Sequence, residues 1–310
     1  MVYRVELPGD DGGSVVQAFI ADWVGQPALR RLVEAEGGSW PSGTLEEQVR
    51  TLHDFSDRWD FRSGAERLDI AASSVDEEAE RIVGDAAELG LTLTTPPSET
   101  RYDHALVLGG TALASIYRLK HLYQLIEGGL AVEHVAVLTA LREVGDSELQ
   151  LVRERPEIMS VVADNPTTEF DVMVAAVEFF TGAEAQIERS FHANPHLASA
   201  QAKIGNTLVL AAPSADPDRR ANSRDNYDAY SSRIGAGDAV LIVTSSIYLP
   251  YQFFVALQAL GWEQPRTIEA IGFPPEWMQG VLTGPTNVLQ ELRSALFGAR
   301  TTLELLASES

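Results

Sequence analysis

The stretch Tyr102-Asp-His-Ala-Leu-Val-Leu-Gly-Gly-Thr111 constrains this chain more than any other. Ala105–Leu108 is an apolar run that ends in two glycines, and Leu113, Ile116, Leu119, Leu122 and Leu125 follow at helical spacing. Strand, tight turn and helix in that order make the first half of a βαβ unit. Glycine lets the backbone turn sharply and lets a ligand approach the amides at the start of the helix. In open α/β sheets ligands sit at the carboxyl ends of such strands. Gly109, Gly110 and Thr111 are therefore the first candidate ligand-binding residues.

Later segments repeat the pattern. His134–Leu138, Thr207–Ala211, Ala239–Thr244 and Thr267–Ile271 are apolar runs without alternation, as expected for strands of a parallel sheet covered on both faces. Glu169–Phe180, Leu249–Leu260 and Val288–Leu306 read as helices between or after them. The expectation is an α/β fold with a doubly wound, mostly parallel, Rossmann-like sheet. Residues 1–98 differ. Ser14–Val24 and Ala28–Glu36 carry helical spacing, Thr44 with Glu47 forms a capping box for a helix through Trp59, and Ser74 or Asp76 starts another through Leu89. This reads as an N-terminal helical region, with Trp23, Trp40 and Trp59 as packing residues. The boundary falls at Pro96-Pro97-Ser98, and 99–310 form the α/β domain.

Composition narrows the function. The formal charge of −22 argues against nucleic acid as a partner, since a broad basic face is missing. No run of about 18 apolar residues exists, so no membrane span is expected. The N-terminus lacks a basic-then-apolar leader pattern, which points to a cytoplasmic protein. With no cysteine, thiolate nucleophiles and Cys-ligated metals are excluded. The partner left is a small-molecule ligand, bound by a monomer or a homodimer.

Candidate residues lie just past each strand. Arg142 and Glu143 follow the second strand. Ser214, Arg219, Arg220, Asn222, Ser223 and Asn226 follow the third, and Ser245, Ser246, Tyr248 and Tyr251 follow the fourth. Arginines grouped this closely can clasp a phosphate or carboxylate; the plain alternative is a solvated loop of Asp–Arg pairs. Glu169 opens a helix, where the dipole favours an acid, and is also the candidate general acid/base. Glu143, Glu169 and Asp171 could form an acidic cluster for Mg²⁺, but no metal site is assigned. GxGxxG, Walker A, GxSxG and HExxH motifs are all missing.

Val107-Leu-Gly-Gly110, Thr168-Glu169, Ala221-Asn-Ser-Arg-Asp-Asn226 and Val243-Thr-Ser-Ser-Ile-Tyr-Leu-Pro-Tyr251 come in an order that resembles the YdcF-like family, which includes SanA-like and ElyC-like proteins. The resemblance covers 102–272. It implies a Rossmann-like sheet with a polar site at its carboxyl edge, and S-adenosylmethionine or a related nucleotide-like ligand. By the same resemblance Gly109 and Gly110 cradle the ligand, Glu169 is the family acid, and Asn222, Ser223 and Asn226 match its Asn-Thr…Asn set. Tyr248 and Tyr251 stand where the family carries His and Arg. Three readings remain open: an enzyme acting on a nucleotide-like or phosphate-bearing metabolite, with Glu169 and Tyr248 catalytic; a non-catalytic ligand-binding or regulatory protein; and an S-adenosylmethionine-dependent transferase.

Overall fold

The apolar runs become the central strands. The computed structural model describes residues 1–61, 79–278, 281 and 284–309. Eight strands form one mixed, mostly parallel sheet: β1 Tyr3–Leu7, β2 Arg101–Leu108, β3 Ala131–Thr139, β4 Gln186–Ser190, β5 Ser199–Ile204, β6 Thr207–Ala211, β7 Ala239–Ser245 and β8 Arg266–Phe273. Their spatial order is β1-β8-β7-β2-β3-β6-β5-β4. The described helices are α1 Gly12–Val24, α2 Pro27–Ala35, α3 Leu45–Phe55, α4 Ala79–Glu88, α5 Ala112–Glu127, α6 Asp146–Arg153, α7 Glu169–Thr181, α8 Ser223–Ser231, α9 Leu249–Leu260 and α10 Pro285–Glu309. The expected Rossmann-like α/β class is the class observed.

Several elements were not expected. β1 is a strand inside the N-terminal region read as helical. Its buried Tyr3, Val5 and Leu7 alternate with Arg4 and Glu6, the period-two pattern of a strand, but over five residues only. β4 and β5 form an antiparallel pair too polar to read as core strands. α6 is a short helix in a segment for which the sequence predicts no element, and α8 begins inside the stretch read as a loop after the third strand. The capping box at Thr44 and Glu47 is present, and α3 ends at Phe55, with a 3-10 turn over Ser56–Trp59. The proposed helix starts at Ser74 and Asp76 lie outside the described residues; α4 is followed by Gly90, whose φ of +82° suits glycine.

The chain forms two units. One comprises residues 1–96, 245–265 and 270–310; the other comprises 97–244 and 266–269. In the second unit β2 pairs in parallel with β3 and β7, and β3 with β6. The register places Val243, Val107, Val137 and Val209 in one row across four strands. All four are fully buried, which fixes the strand ends relative to one another. Gly109, Thr139 and Ala211 therefore reach the carboxyl edge together. Among the described residues no helix is long and apolar enough to cross a membrane.

In the first unit, α9 and α10 pack on each other and α10 also on α3 and α4. The core there is aromatic. Phe253 lies 5.7 Å from Tyr3 and 4.9 Å from Phe19, and Phe254 meets Trp23 at 5.4 Å, within the range where tilted ring pairs attract. Trp23 and Trp59 are buried, as expected of packing residues. The Tyr3 hydroxyl is wholly buried, so its polar atoms need partners. It donates to the Leu89 carbonyl at 2.5 Å and accepts from Trp23 Nε1 at 2.8 Å. Burial pushes its pKa far above the ordinary tyrosine value, so it stays a neutral donor. Tyr3→Phe leaves the Trp23 N–H and the Leu89 carbonyl without partners and should cost about 2–3 kcal/mol. Urea unfolding checks this; a loss near zero would show that this link does not hold β1 to α1 and the residues after α4.

Candidate functional site

The Gly109–Gly110 turn is built around a carboxylate of the protein itself. Gly109 N–H donates to the Leu138 carbonyl at 2.6 Å, which docks the turn on the end of β3. Glu169 lies at the start of α7. Its Oε1 accepts from Gly110 N–H at 3.0 Å and from Thr139 Oγ1 at 2.9 Å. A Cβ at position 109 would fall 2.0 Å from that oxygen, so only glycine leaves room for Glu169. This is the close backbone approach expected of the turn, with a carboxylate of the chain as the group that approaches.

Arginines complete the network. Arg142 donates through Nε to Glu169 Oε2 at 3.3 Å and through Nη2 to the Gly110 carbonyl at 2.8 Å. It also clasps Glu148, with Nη1–Oε1 at 2.6 Å and Nη2–Oε2 at 3.1 Å. Glu148 Oε2 in turn accepts from Ala112 N–H, at the first residue of α5, at 3.0 Å. Arg118, fully buried on α5, donates from Nη1 to the carbonyls of Leu108 and Gly109. Two carboxylates and two guanidinium groups thus take up the amides and carbonyls of the turn, and their charges cancel.

Local sequence explains the placement. Thr168 caps α7 in a capping box with Asp171, which sets Glu169 in the first turn. Glu169 N–H bonds the Arg142 carbonyl at 2.8 Å and Phe170 N–H the Ala140 carbonyl at 3.0 Å, so the end of β3 and the start of α7 run side by side. Burial pushes the Glu169 carboxyl above its ordinary value, while Arg142, Thr139 and Arg118 pull against that. For Arg142 burial acts downward, but Glu148 and Glu169 outweigh it and hold the guanidinium well above the ordinary arginine value.

A second network follows β6. Asn222 caps α8 in a capping box with Asp225. Arg219 clasps Asp225 with two bonds, Nη1–Oδ2 at 2.5 Å and Nη2–Oδ1 at 3.0 Å. Asp225 also accepts from the amides of Asn222 at 2.8 Å and Ala215 at 3.0 Å. Asn226 Oδ1 accepts from Ala212 N–H at 3.0 Å, and Ser214 Oγ from Asp216 N–H at 3.2 Å. Burial pushes the Asp225 carboxyl up, but Arg219 and the two amides outweigh it and it titrates below the ordinary aspartate range. Arg220 is exposed, and Ser223 opens α8.

The structure therefore gathers Gly109, Gly110, Arg142 and Glu169 in one network, with Thr111 as the residue before α5. It gathers Ser214, Arg219, Asn222 and Asn226 in another. Ser245, Ser246, Tyr248 and Tyr251 belong to the first unit. Ser245, Ser246 and Tyr248 are buried there, and Ser246 Oγ donates to the Phe273 carbonyl at 2.9 Å. Tyr251 lies against α10, 3.4 Å from where a Cβ at Gly298 would be. Glu148, Arg118, Thr139 and Asp225 are central members that sequence reading missed. Among the described residues no three His, Asp or Glu side chains gather as metal ligands. Asp171, weighed for Mg²⁺, instead caps α7 and pairs with Arg189. One cavity of about 470 Å³ is lined by residues including Arg30, Trp40 and Gln48, and another of about 360 Å³ by residues including Glu188, Gln201 and Pro213. Neither includes Gly110, Arg142 or Glu169.

Comparison with known proteins gives a family model described as the Rv3785 N-terminal domain, which matches residues 8–90. Uncharacterized protein Mb3814 of Mycobacterium bovis and Uncharacterized protein Rv3785 of Mycobacterium tuberculosis are each 30% identical to this chain over 340 residues. Each match covers 96% of this chain and 92% of the relative. No solved structure matches. These matches overturn the resemblance to the YdcF-like family. The residues that carried it have other work: Gly109 makes room for Glu169, Thr168 and Asn222 are helix caps, and Asn226 bonds the end of β6. The expectation of S-adenosylmethionine rested on that resemblance and loses that support.

Two outcomes test the networks. Glu169→Ala leaves the Gly110 amide and the Thr139 hydroxyl without their acceptor and takes one of two carboxylates from Arg142, and should cost about 3–5 kcal/mol in denaturant unfolding. Glu169→Gln keeps an acceptor for the Gly110 amide and the Thr139 hydroxyl but turns an NH2 donor toward Arg142 Nε, and should cost less, about 1–3 kcal/mol; equal losses would mean that the charge, not the hydrogen bonds, holds the turn. Asp225 has a depressed pKa, so its ionised form stabilises the fold above the unfolded value of about 3.9. That contribution is lost as pH falls through the folded value. Asp225→Asn should flatten this part of the stability–pH curve, measured as Tm against pH; an unchanged acid limb would remove Asp225 from it.

Proposed function

We propose that this chain, which belongs to the same family as the mycobacterial protein Rv3785, binds a small metabolite bearing a phosphate or carboxylate at the carboxyl end of β2. One observation carries the reading. The Glu148 carboxylate is held by the Ala112 amide at the start of α5 and by two nitrogens of the Arg142 fork. That is the donor set by which α/β proteins hold an anionic ligand: an oriented amide, the positive end of a helix dipole and a guanidinium. Glu148 sits on a two-turn helix, and its side chain is 12% exposed, against 5% for Glu169. A ligand anion would take the place of Glu148, while Glu169 keeps the turn shaped beneath it. Exchange of one carboxylate for another anion leaves Arg142 paired, so the desolvated cation is never stranded.

A catalytic version of this reading uses Glu169 as acid/base. Burial lifts its pKa toward neutral pH, which supports that role. Against it, both carboxylate oxygens already hold hydrogen bonds to Gly110, Thr139 and Arg142. Binding is therefore the function the geometry supports best, and group transfer or hydrolysis is the second reading.

The test compares the wild type with Glu148→Gln and Arg142→Lys by thermal shift and calorimetry, against inorganic phosphate, nucleoside monophosphates and dicarboxylates. Glu148→Gln removes the competing charge and should tighten binding by about tenfold or more, the worth of about 1.4 kcal/mol. Arg142→Lys loses the fork and should abolish binding. A ligand at 100 times its Kd raises stability by about 2.7 kcal/mol, which a melting curve resolves. No stabilisation of either the wild type or Glu148→Gln by any anion would overturn the proposal.

A further inference from the structure

The sheet ends on one side in a strand whose outer edge pairs with nothing among the described residues. β4 is the last strand in the order, it pairs only on its β5 side, and all five of its residues are exposed. A bare strand edge presents unpaired N–H and C=O groups, and natural proteins blunt such edges with proline, lysine or a bulge. β4 has no proline or lysine, and its charged residues, Glu188 and Arg189, cancel in a chain of net charge −22. Large apolar side chains stand along the same edge. Phe191, just past the strand, is 87% exposed, and Ile187 is 47% exposed.

The strand is complementary to a second copy of itself running the other way. Side chains alternate along a strand, so Ile187 and Arg189 share one face, and Phe191 joins them when pairing extends the strand by one residue. A two-fold axis normal to a sheet pairs residues of the same face, so an antiparallel self-pairing must centre on one residue. Centred on Glu188, it sets two carboxylates face to face. Centred on Arg189, it sets Ile187 opposite Phe191 of the second copy, twice, and Glu188 opposite Ser190, twice. The two central guanidinium groups come already neutralised. Each Arg189 donates to Asp171 of its own chain at 2.5 Å and lies 5.1 Å over the Phe170 ring. We propose that β4 is a homodimerisation edge, on which a second copy of this chain pairs its own β4 antiparallel about Arg189. The backbone ladder supplies the direction, and the paired Ile187 and Phe191 cover the apolar side chains left bare in one copy. This surface uses none of the residues proposed to hold the anion.

Two measurements on the full chain test the proposal. Sedimentation velocity of the wild type should give twice the mass of the 33.7 kDa chain. The Ile187→Lys/Phe191→Lys variant should give half the wild-type mass, with an unchanged circular dichroism spectrum. Because the chain has no cysteine, Glu188→Cys/Ser190→Cys is a clean register probe. It should form a disulfide-linked dimer on mild oxidation, whereas Glu188→Cys alone should not. A monomeric wild type across micromolar concentrations overturns the proposal. So does a dimer that survives the two lysines, or a double-cysteine variant that fails to cross-link.

Discussion

The Gly109–Gly110 turn and the groups around it depend on where the Glu169 carboxylate sits. It occupies the space a side chain at position 109 would fill, and it ties the β2 turn, the end of β3 and the start of α7 to one point. Taking that charge out of water is expensive, and hydrogen bonds to each oxygen plus Arg142 offset the cost. The same requirement recruits Arg142, then Glu148, then the first amide of α5. A buried acid thus organises its neighbours in sequence, because each group brought in to satisfy one charge must itself be satisfied.

The strands and most helices were legible because their signals are local. Apolar runs gave β2, β3, β6, β7 and β8 to within a few residues, and α9 fell at the residues expected. The capping box at Thr44 was readable for the same reason. What escaped was either too short or too polar. β1 has three buried positions in five residues, and β4 has none, so hydrophobic periodicity could not announce them. α8 is present in the sequence as Asn222 and Asp225, a cap pattern that reads equally as a ligand motif.

The candidate site was legible in part, and the division is physical. Gly109, Gly110, Arg142 and Glu169 do come together, because each follows a strand or opens a helix at the same sheet edge. Their partners Glu148 and Arg118 carried no such mark. Arg118 lies among the apolar residues of α5, and nothing local tells a buried arginine from a solvated one. The resemblance to another family failed for a related reason. A strand ending in Gly-Gly, a Thr-Glu helix start and an Asn-capped helix are the common grammar of α/β proteins, and they recur wherever strand ends must be turned and helices begun.

The division of the chain into units has a consequence for synthesis. Residues 1–96 pack with 245–265 and 270–310, while 97–244 form nearly all of the other unit. At roughly 5–20 residues per second, the N-terminal helices leave the ribosome roughly 10–40 s before α10 follows them. Until then the sides of α3 and α4 that meet α10 have nothing to rest on. The unit in the middle of the chain has nearly all of its residues first, and the part made first is finished last. A chain built this way spends its nascent life with its own beginning unfinished, and it is then that a holdase or a protease would meet it.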